Sequence, residues 1–217
     1  MSELFDEVDE EVRREQLKKL WDKYSIVIIA LAILVVAGVG GWRGYQYLEA
    51  KKAAEAGEAF NKAVELADQG KHSEAEAAFS DLAGKAPSGY RMLARFRAAA
   101  ETAARDPQAA AKMFDDISAD HSVTSDFRAL ASIRAAGLVI DSTTYQNILQ
   151  RLEPLAGAGS TYRHAARELL ALSAWRANDA TAARQWLDQI ALDGETPPSV
   201  RARAEALQAL LPPVAKS

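Results

Sequence analysis

Apolar positions follow two different rules along this chain. Between Lys23 and Arg43 no side chain is charged and most are Ile, Leu, Val or Ala. Beyond that stretch the apolar residues recur three and four positions apart, the spacing that lines one face of an α-helix. No stretch alternates with the period of two that a half-buried strand needs. The pattern predicts an all-α protein, one helix apolar all round and the rest amphipathic.

The uncharged run from Tyr24 to Trp42 is about the length an α-helix needs to cross the hydrocarbon core of a bilayer. Tyr24 stands at one end and Trp42 and Tyr45 at the other, where amphipathic rings favour the headgroup level. Gly38, Gly40 and Gly41 permit close helix packing in the bilayer or merely loosen the helix end. A cleaved signal peptide has a shorter apolar region, and here an acidic segment precedes it, so the run reads as an uncleaved anchor. Arg13, Arg14, Lys18, Lys19 and Lys23 precede the span, against Arg43, Lys51 and Lys52 after it. That excess leans toward a cytoplasmic N-terminus.

The first residues, Met1 to Glu11, are acidic and poor in core-forming side chains, which predicts disorder. Val8, Val12, Leu17, Leu20, Trp21 and Tyr24 nevertheless recur at helical spacing. They make either an amphipathic helix on the inner membrane surface or against a partner, or a plain lead-in to the span.

After the span the sequence repeats itself. The trio Ala75, Phe79 and Leu82 returns as Ala110, Phe114 and Ile117, then as Tyr145, Leu149 and Leu152, then as Ala183, Leu187 and Ile190. A second register runs through Tyr90, Leu93, Ala94, Arg97 and Ala98, and through Phe127, Leu130, Ala131, Arg134 and Ala135. Tyr162, Ala165, Ala166 and Leu169 continue it, and Val200, Ala204 and Leu207 form a degenerate last copy. Copies lie about 35 to 38 residues apart, close to the tetratricopeptide period. Ala at the same register lets two antiparallel helices pack closely.

Gly70, Asp106, the Asp141–Thr143 turn and Asn178-Asp179 punctuate the hairpins internally, with Asp106-Pro107 reading as an N-cap followed by Pro at the first helical position. Pro87, Gly157 with Gly159, and Pro197-Pro198 fall between hairpins. The pattern predicts an N-terminal segment over 1–23, a transmembrane helix over 24–45, and a repeat domain over 46–211. That domain comprises about four hairpins and a closing helix whose polar face (Arg201, Arg203, Glu205, Gln208) seals the last apolar surface. The tail, 212–217, is expected to be disordered.

Composition sharpens this in two places. Net charge is −4, and Lys and Arg are scattered, without the concentrated basic patch that phosphate recognition needs; this argues against nucleic acid. There is no cysteine, which removes disulfides, thiolate catalysis and Cys-type zinc sites together. His72, His121 and His164 lie far apart and lack carboxylates at metal-ligand spacing. No Gly-x-Ser-x-Gly elbow and no phosphate loop occurs. The sequence predicts no enzyme, no cofactor and no small-molecule substrate.

Candidate partner contacts are Tyr90, Arg97, Arg134, Tyr162, Arg163 and Arg167, all on first helices of hairpins, which line the concave face in this architecture. Arg and Tyr combine apolar area with hydrogen bonding, as contact residues do. The competing reading makes the tyrosines packing residues and the arginines solvated surface. Glu168, next to Arg167, is expected to form an ion pair across a hairpin.

Three blocks carry a family resemblance: Glu11-Val12-Arg13-Arg14-Glu15-Gln16 running into Trp21-Asp22-Lys23-Tyr24; Gly41-Trp42-Arg43 followed by Tyr45 and Tyr47; and Tyr162-Arg163-His164-Ala165-Ala166-Arg167-Glu168-Leu169-Leu170-Ala171-Leu172 followed by Trp175. With the anchor and the hairpins, the chain resembles the YfgM-like family of inner-membrane tetratricopeptide proteins. The resemblance implies a cytoplasmic N-terminus and periplasmic repeats. It also implies association with Sec translocon subunits and with a membrane-anchored periplasmic chaperone that receives exported clients. Loops shorter than in some relatives and the degenerate last repeat are departures that touch the partner surface more than the fold. An envelope-assembly or cell-division scaffold, and a non-catalytic accessory subunit of a membrane enzyme, are the alternatives.

Overall fold

The structure is a computed structural model; it describes the backbone of residues 3–212 and, within them, the side chains of 13–14, 18–19 and 21–212. Among the described residues every regular element is helical. Helix α1 (Glu3–Asp68) is continuous for 66 residues. No proline occurs before Pro87, so nothing removes a hydrogen bond from its ladder, and the glycines from Gly38 to Gly44 are tolerated inside it.

Helix α1 differs from expectation at its start. Helix runs from Glu3, where the acidic stretch to Glu11 predicts disorder, and no helix end marks the expected boundaries at 23/24 and 45/46. Of the amphipathic positions, the side chains of Val8, Val12, Leu17 and Leu20 lie outside the described residues, as do Met1, Ser2 and 213–217.

The chain divides into two compact units, Met1–Ala54 and Glu55–Ser217. In the first, α1 carries a helix long and apolar enough to cross a membrane, none of whose apolar window is buried. Ile26 is 81% exposed and Val36 71%. A helix of this length and apolarity fits a membrane span or a signal anchor alike. Lys23 Nζ sits 5.2 Å from the Tyr24 ring centroid at the near end.

The second unit is the repeat domain. The end of α1 is followed by α2 (His72–Lys85), α3 (Ser88–Ala103), α4 (Pro107–Ala119), α5 (Ser125–Val139) and α6 (Tyr145–Leu152). A 3₁₀ turn (Glu153–Leu155) leads to α7 (Arg163–Arg176), α8 (Ala180–Leu192) and α9 (Pro198–Ala209). Turn chemistry explains the sharp reversals. Gly70 (φ 75°) and Asn178 (φ 59°) take the left-handed conformation that ends α1 and α7. Asp106 and Asp179 cap α4 and α8, each side chain accepting at 2.9 Å from a backbone N–H three residues on. Thr144 caps α6 in the same way at 3.3 Å.

The core is built at the two repeating registers. Ala75, Phe79, Leu82, Ala110, Phe114, Ile117, Ala183, Leu187 and Ile190 are all buried. So are the alanines at the facing register, Ala94, Ala98, Ala131, Ala135 and Ala166. The third copy departs. In α6 the buried residues are Ile148 and Leu152, while Tyr145 and Leu149 are only partly buried. The short helix is turned by about one residue, and Tyr145 uses its hydroxyl to accept a 2.9 Å hydrogen bond from Trp186 Nε1. Helix α9 buries Val200 and Ala204 and exposes its opposite side, as a closing helix must. Pro212, expected in the loose tail, accepts a hydrogen bond through its carbonyl from Arg184.

Candidate partner-binding groove

Four of the six expected contact residues, Tyr90, Arg97, Arg163 and Arg167, have their side chains engaged inside the repeat domain. Tyr90 is partly buried against Phe60, with ring centroids 5.9 Å apart. Its hydroxyl lies 2.8 Å from where a Cβ on Gly57 would stand, so any larger residue on that turn of α1 requires the Tyr90 ring to shift. Arg97 places its guanidinium 5.4 Å from the Phe79 ring centroid and pairs with the buried Glu101 at 3.5 Å. Glu101 is also bonded by His72 Nδ1 at 2.8 Å. Tyr162 is half-buried at the N-terminus of α7, its N–H donating to Ser160 Oγ at 3.2 Å.

Arg163 and Arg167 are brought together, on Asp193. Arg163 Nε and Arg167 Nη1 each donate to Asp193 Oδ2 at 2.8 Å, and Arg163 also pairs with Glu195. Arg167 is 7% exposed and donates through Nε to the Ala156 carbonyl at 2.9 Å. A guanidinium so enclosed clamps the turn after α8 to the start of α7 and is closed to a partner. The Arg163 guanidinium is the main reason the Asp193 carboxyl titrates well below the usual carboxylate range. Beside it, burial, then the Arg163 charge, pushes the His164 imidazole below its ordinary value.

Arg134 is different. It stands at the same register on α5 as Arg97 on α3, but Leu138 replaces the glutamate one turn on. Its side chain is exposed and has no hydrogen bond or ion pair among the described residues. It lies on the wall of a groove of about 480 Å³ across three first helices. Helix α3 contributes Ala100 and Ala103, α5 contributes Ile133, Gly137 and Leu138, and α7 contributes Ala165, Glu168 and Leu169. Phe114 of α4 forms the base. Glu168, the other charge on the wall, is held by Arg203 of α9, with the second contact at 2.8 Å. The ion pair expected of Glu168 across its own hairpin is made instead to the closing helix, one repeat on. A cavity of this size, mainly apolar with a few polar groups, has the character of a ligand site. A second cavity, of about 390 Å³, is lined by Arg91 and Arg95; Asp120 pairs with Arg95 at 2.6 Å, and Arg91 donates to the Ala86 carbonyl at 3.2 and 3.3 Å.

Sequence reasoning missed Gly137, Leu138 and Leu169 as groove residues. The signal is present: Ala100 and Gly137 are small residues at one register of successive first helices, on faces left exposed among the described residues. It also missed the ion pairs that join neighbouring repeats. Asp115–Arg151 are 36 residues apart and Glu168–Arg203 are 35 apart, so opposite charges recur at the repeat period.

Stacked antiparallel helical hairpins with an uncovered groove across their first helices define a repeat scaffold of the protein-binding kind. A family model, the tetratricopeptide repeat-like domain, matches residues 18–159, and the chain belongs to that family. The match takes in the apolar segment as well as the first three hairpins. No curated protein and no solved structure matches the chain. Repeats of this family generally act as scaffolds for protein–protein interaction.

Proposed function

We propose that this chain is a membrane-anchored scaffold that brings protein partners together, with the groove on α3, α5 and α7 as its contact surface. The observation that carries this reading is the groove itself, about 480 Å³ of mainly apolar lining left against water. Of the six expected contact residues Arg134 lines the groove, Tyr90, Arg97, Arg163 and Arg167 serve as the frame, and Tyr162 lies outside the groove lining.

The bare apolar helix supports an anchor over 24–45. The excess of Lys and Arg before the span and the resemblance to the YfgM-like family support 1–23 in the cytoplasm and the repeats over 46–211 in the periplasm of a bacterial inner membrane. The three sequence blocks resembling the YfgM-like family support a more specific place. There the chain is an ancillary subunit of the Sec translocon, linking it to a membrane-anchored periplasmic chaperone for newly exported clients. Anchoring raises the effective concentration of weakly bound partners without any new contact.

The test is purification of the full chain from native membranes in mild detergent, with its partners identified by mass spectrometry. Protease protection of the repeats in intact inner-membrane vesicles runs alongside. Recovery of translocon subunits with the chaperone, and repeats on the periplasmic side, is expected. Recovery of division or oxidoreductase components without the translocon would sink the placement, and repeats cleaved from the cytoplasmic side would overturn the orientation.

A further inference from the structure

We propose that the groove takes an internal peptide segment in which an aspartate or glutamate is flanked by large apolar side chains, the carboxylate pairing with Arg134. This rests on the reading of the groove as the partner surface. Arg97 and Arg134 occupy one register, yet only Arg97 has a carboxylate one turn on; at Arg134 that place is Leu138. The other charge on the wall, Glu168, already has Arg203. The groove therefore offers one uncommitted cation over an apolar base of Phe114, Leu138 and Leu169. A guanidinium presents paired N–H donors that match a carboxylate, and the pairing strengthens where neighbouring surface is apolar.

The arrangement favours a side-chain carboxylate over a chain end. Arg134 lies on α5, the middle helix, with groove lining on α3 to one side and on α7 to the other. A segment that continues past the charge in both directions covers both sides; a chain end covers one. Gly137 leaves room beside the charge, since a Cβ there would meet nothing within 4 Å.

The experiment pans phage-displayed random dodecapeptides, fused so that no free C-terminus is presented, on the full chain in lipid nanodiscs, with empty nanodiscs removing membrane binders. Enriched peptides are made as C-terminal amides and measured by fluorescence anisotropy against wild type, Arg134→Glu and Gly137→Trp. Both positions are open to solvent, and circular dichroism checks that each variant stays folded. The expected peptides carry Asp or Glu between Leu, Ile or Phe. Losing the charge-assisted pair weakens binding about tenfold or more, whether through Arg134→Glu or through Asn or Gln in the peptide. A Lys-bearing version regains affinity for Arg134→Glu, and Gly137→Trp removes binding.

Peptides blocked by Gly137→Trp but indifferent to Arg134→Glu would overturn the carboxylate and leave the groove standing. Peptides indifferent to both variants, or no enrichment at all, would overturn the inference and the groove reading together. Binding that requires a free terminal carboxylate would overturn the internal segment. A concentration-dependent dimer dissolved by Gly137→Trp would make a second copy the occupant and overturn the proposal.

Discussion

Gly57 is the sharpest place to perturb the packing of the repeat domain, because one atom decides the sign of the effect. It lies inside α1, where Gly→Ala ordinarily stabilises a helix by about 1 kcal/mol. Here the new Cβ would stand 2.8 Å from the Tyr90 hydroxyl oxygen and 3.4 Å from Cζ of the same ring. The ring cannot retreat freely, because Phe60 lies 5.9 Å from it, centroid to centroid. Overpacking of this kind costs roughly 1–3 kcal/mol. The net effect of Gly57→Ala in the wild-type background is therefore a loss of about 0 to 2 kcal/mol. In a Tyr90→Phe background the oxygen is gone, the nearest remaining contact is ordinary, and the same substitution gains about 1 kcal/mol. Thermal melts of the full chain in detergent, followed by circular dichroism, would resolve the difference, since 1 kcal/mol moves the midpoint by about 2–4 °C in a domain of this size. Equal stabilisation by Gly57→Ala in both backgrounds would refute the packing of α3 on the end of α1, and with it the role of Tyr90 as frame.

The melting temperature also depends on pH in a predictable direction. His164 is held below its ordinary value by burial, so its contribution is complete above about pH 6.5 and is lost below that, as pH falls through the lowered folded value. Asp120, lowered to about 2 by hydrogen bonds from Ser122 and Arg95, and Asp193, lowered by Arg163, contribute above the ordinary carboxylate range and lose that contribution in more acid solution. Melts from pH 8 to 2 should fall first below about pH 6.5 and again below the ordinary carboxylate range. His164→Gln should remove the first fall; a midpoint that rises between pH 7 and 5 would contradict this. Phe79→Ala should cost about 4 kcal/mol, because a fully buried ring loses its edge contact with Phe60 at 5.1 Å and the Arg97 cation above it. Phe79→Leu should recover more than half of that loss, and equal losses in the two variants would mean the site is not packed as described. The Asp115–Arg151 pair, each side chain roughly a third exposed, should yield a coupling below about 1 kcal/mol in a double-mutant cycle despite its bidentate geometry. A larger coupling would make the pairs between repeats a main source of stability.

The hairpins were legible in the sequence because a helix advertises its buried face at fixed spacing. Ala75, Phe79 and Leu82 and their counterparts on α4 and α8 are buried as that spacing requires. The third copy was misread for a physical reason: in an eight-residue helix Ile148 and Leu149 are both apolar, and periodicity cannot choose which of two adjacent residues points inward. The proposed contact surface is legible in the sequence only in part. Residue type marks Arg97, Arg134, Arg163 and Arg167 alike, but availability depends on what lies one turn or one repeat away. Glu101 takes up Arg97, Asp193 takes up Arg163 and Arg167, and Leu138 leaves Arg134 unpaired. The start of α1 was missed because acidic composition argues for disorder, whereas a stretch without Pro or Gly continuous with a long helix extends it.

The central claim is that partners meet this chain in the groove on its first helices. Photo-crosslinking in intact membranes tests it most directly, with a benzophenone amino acid placed at Gly137 in the groove or at exposed Lys112 on α4 outside its lining. Adducts to protein partners from position 137, with few or none from position 112, are the predicted result. Adducts from 112 with none from 137 would contradict the account.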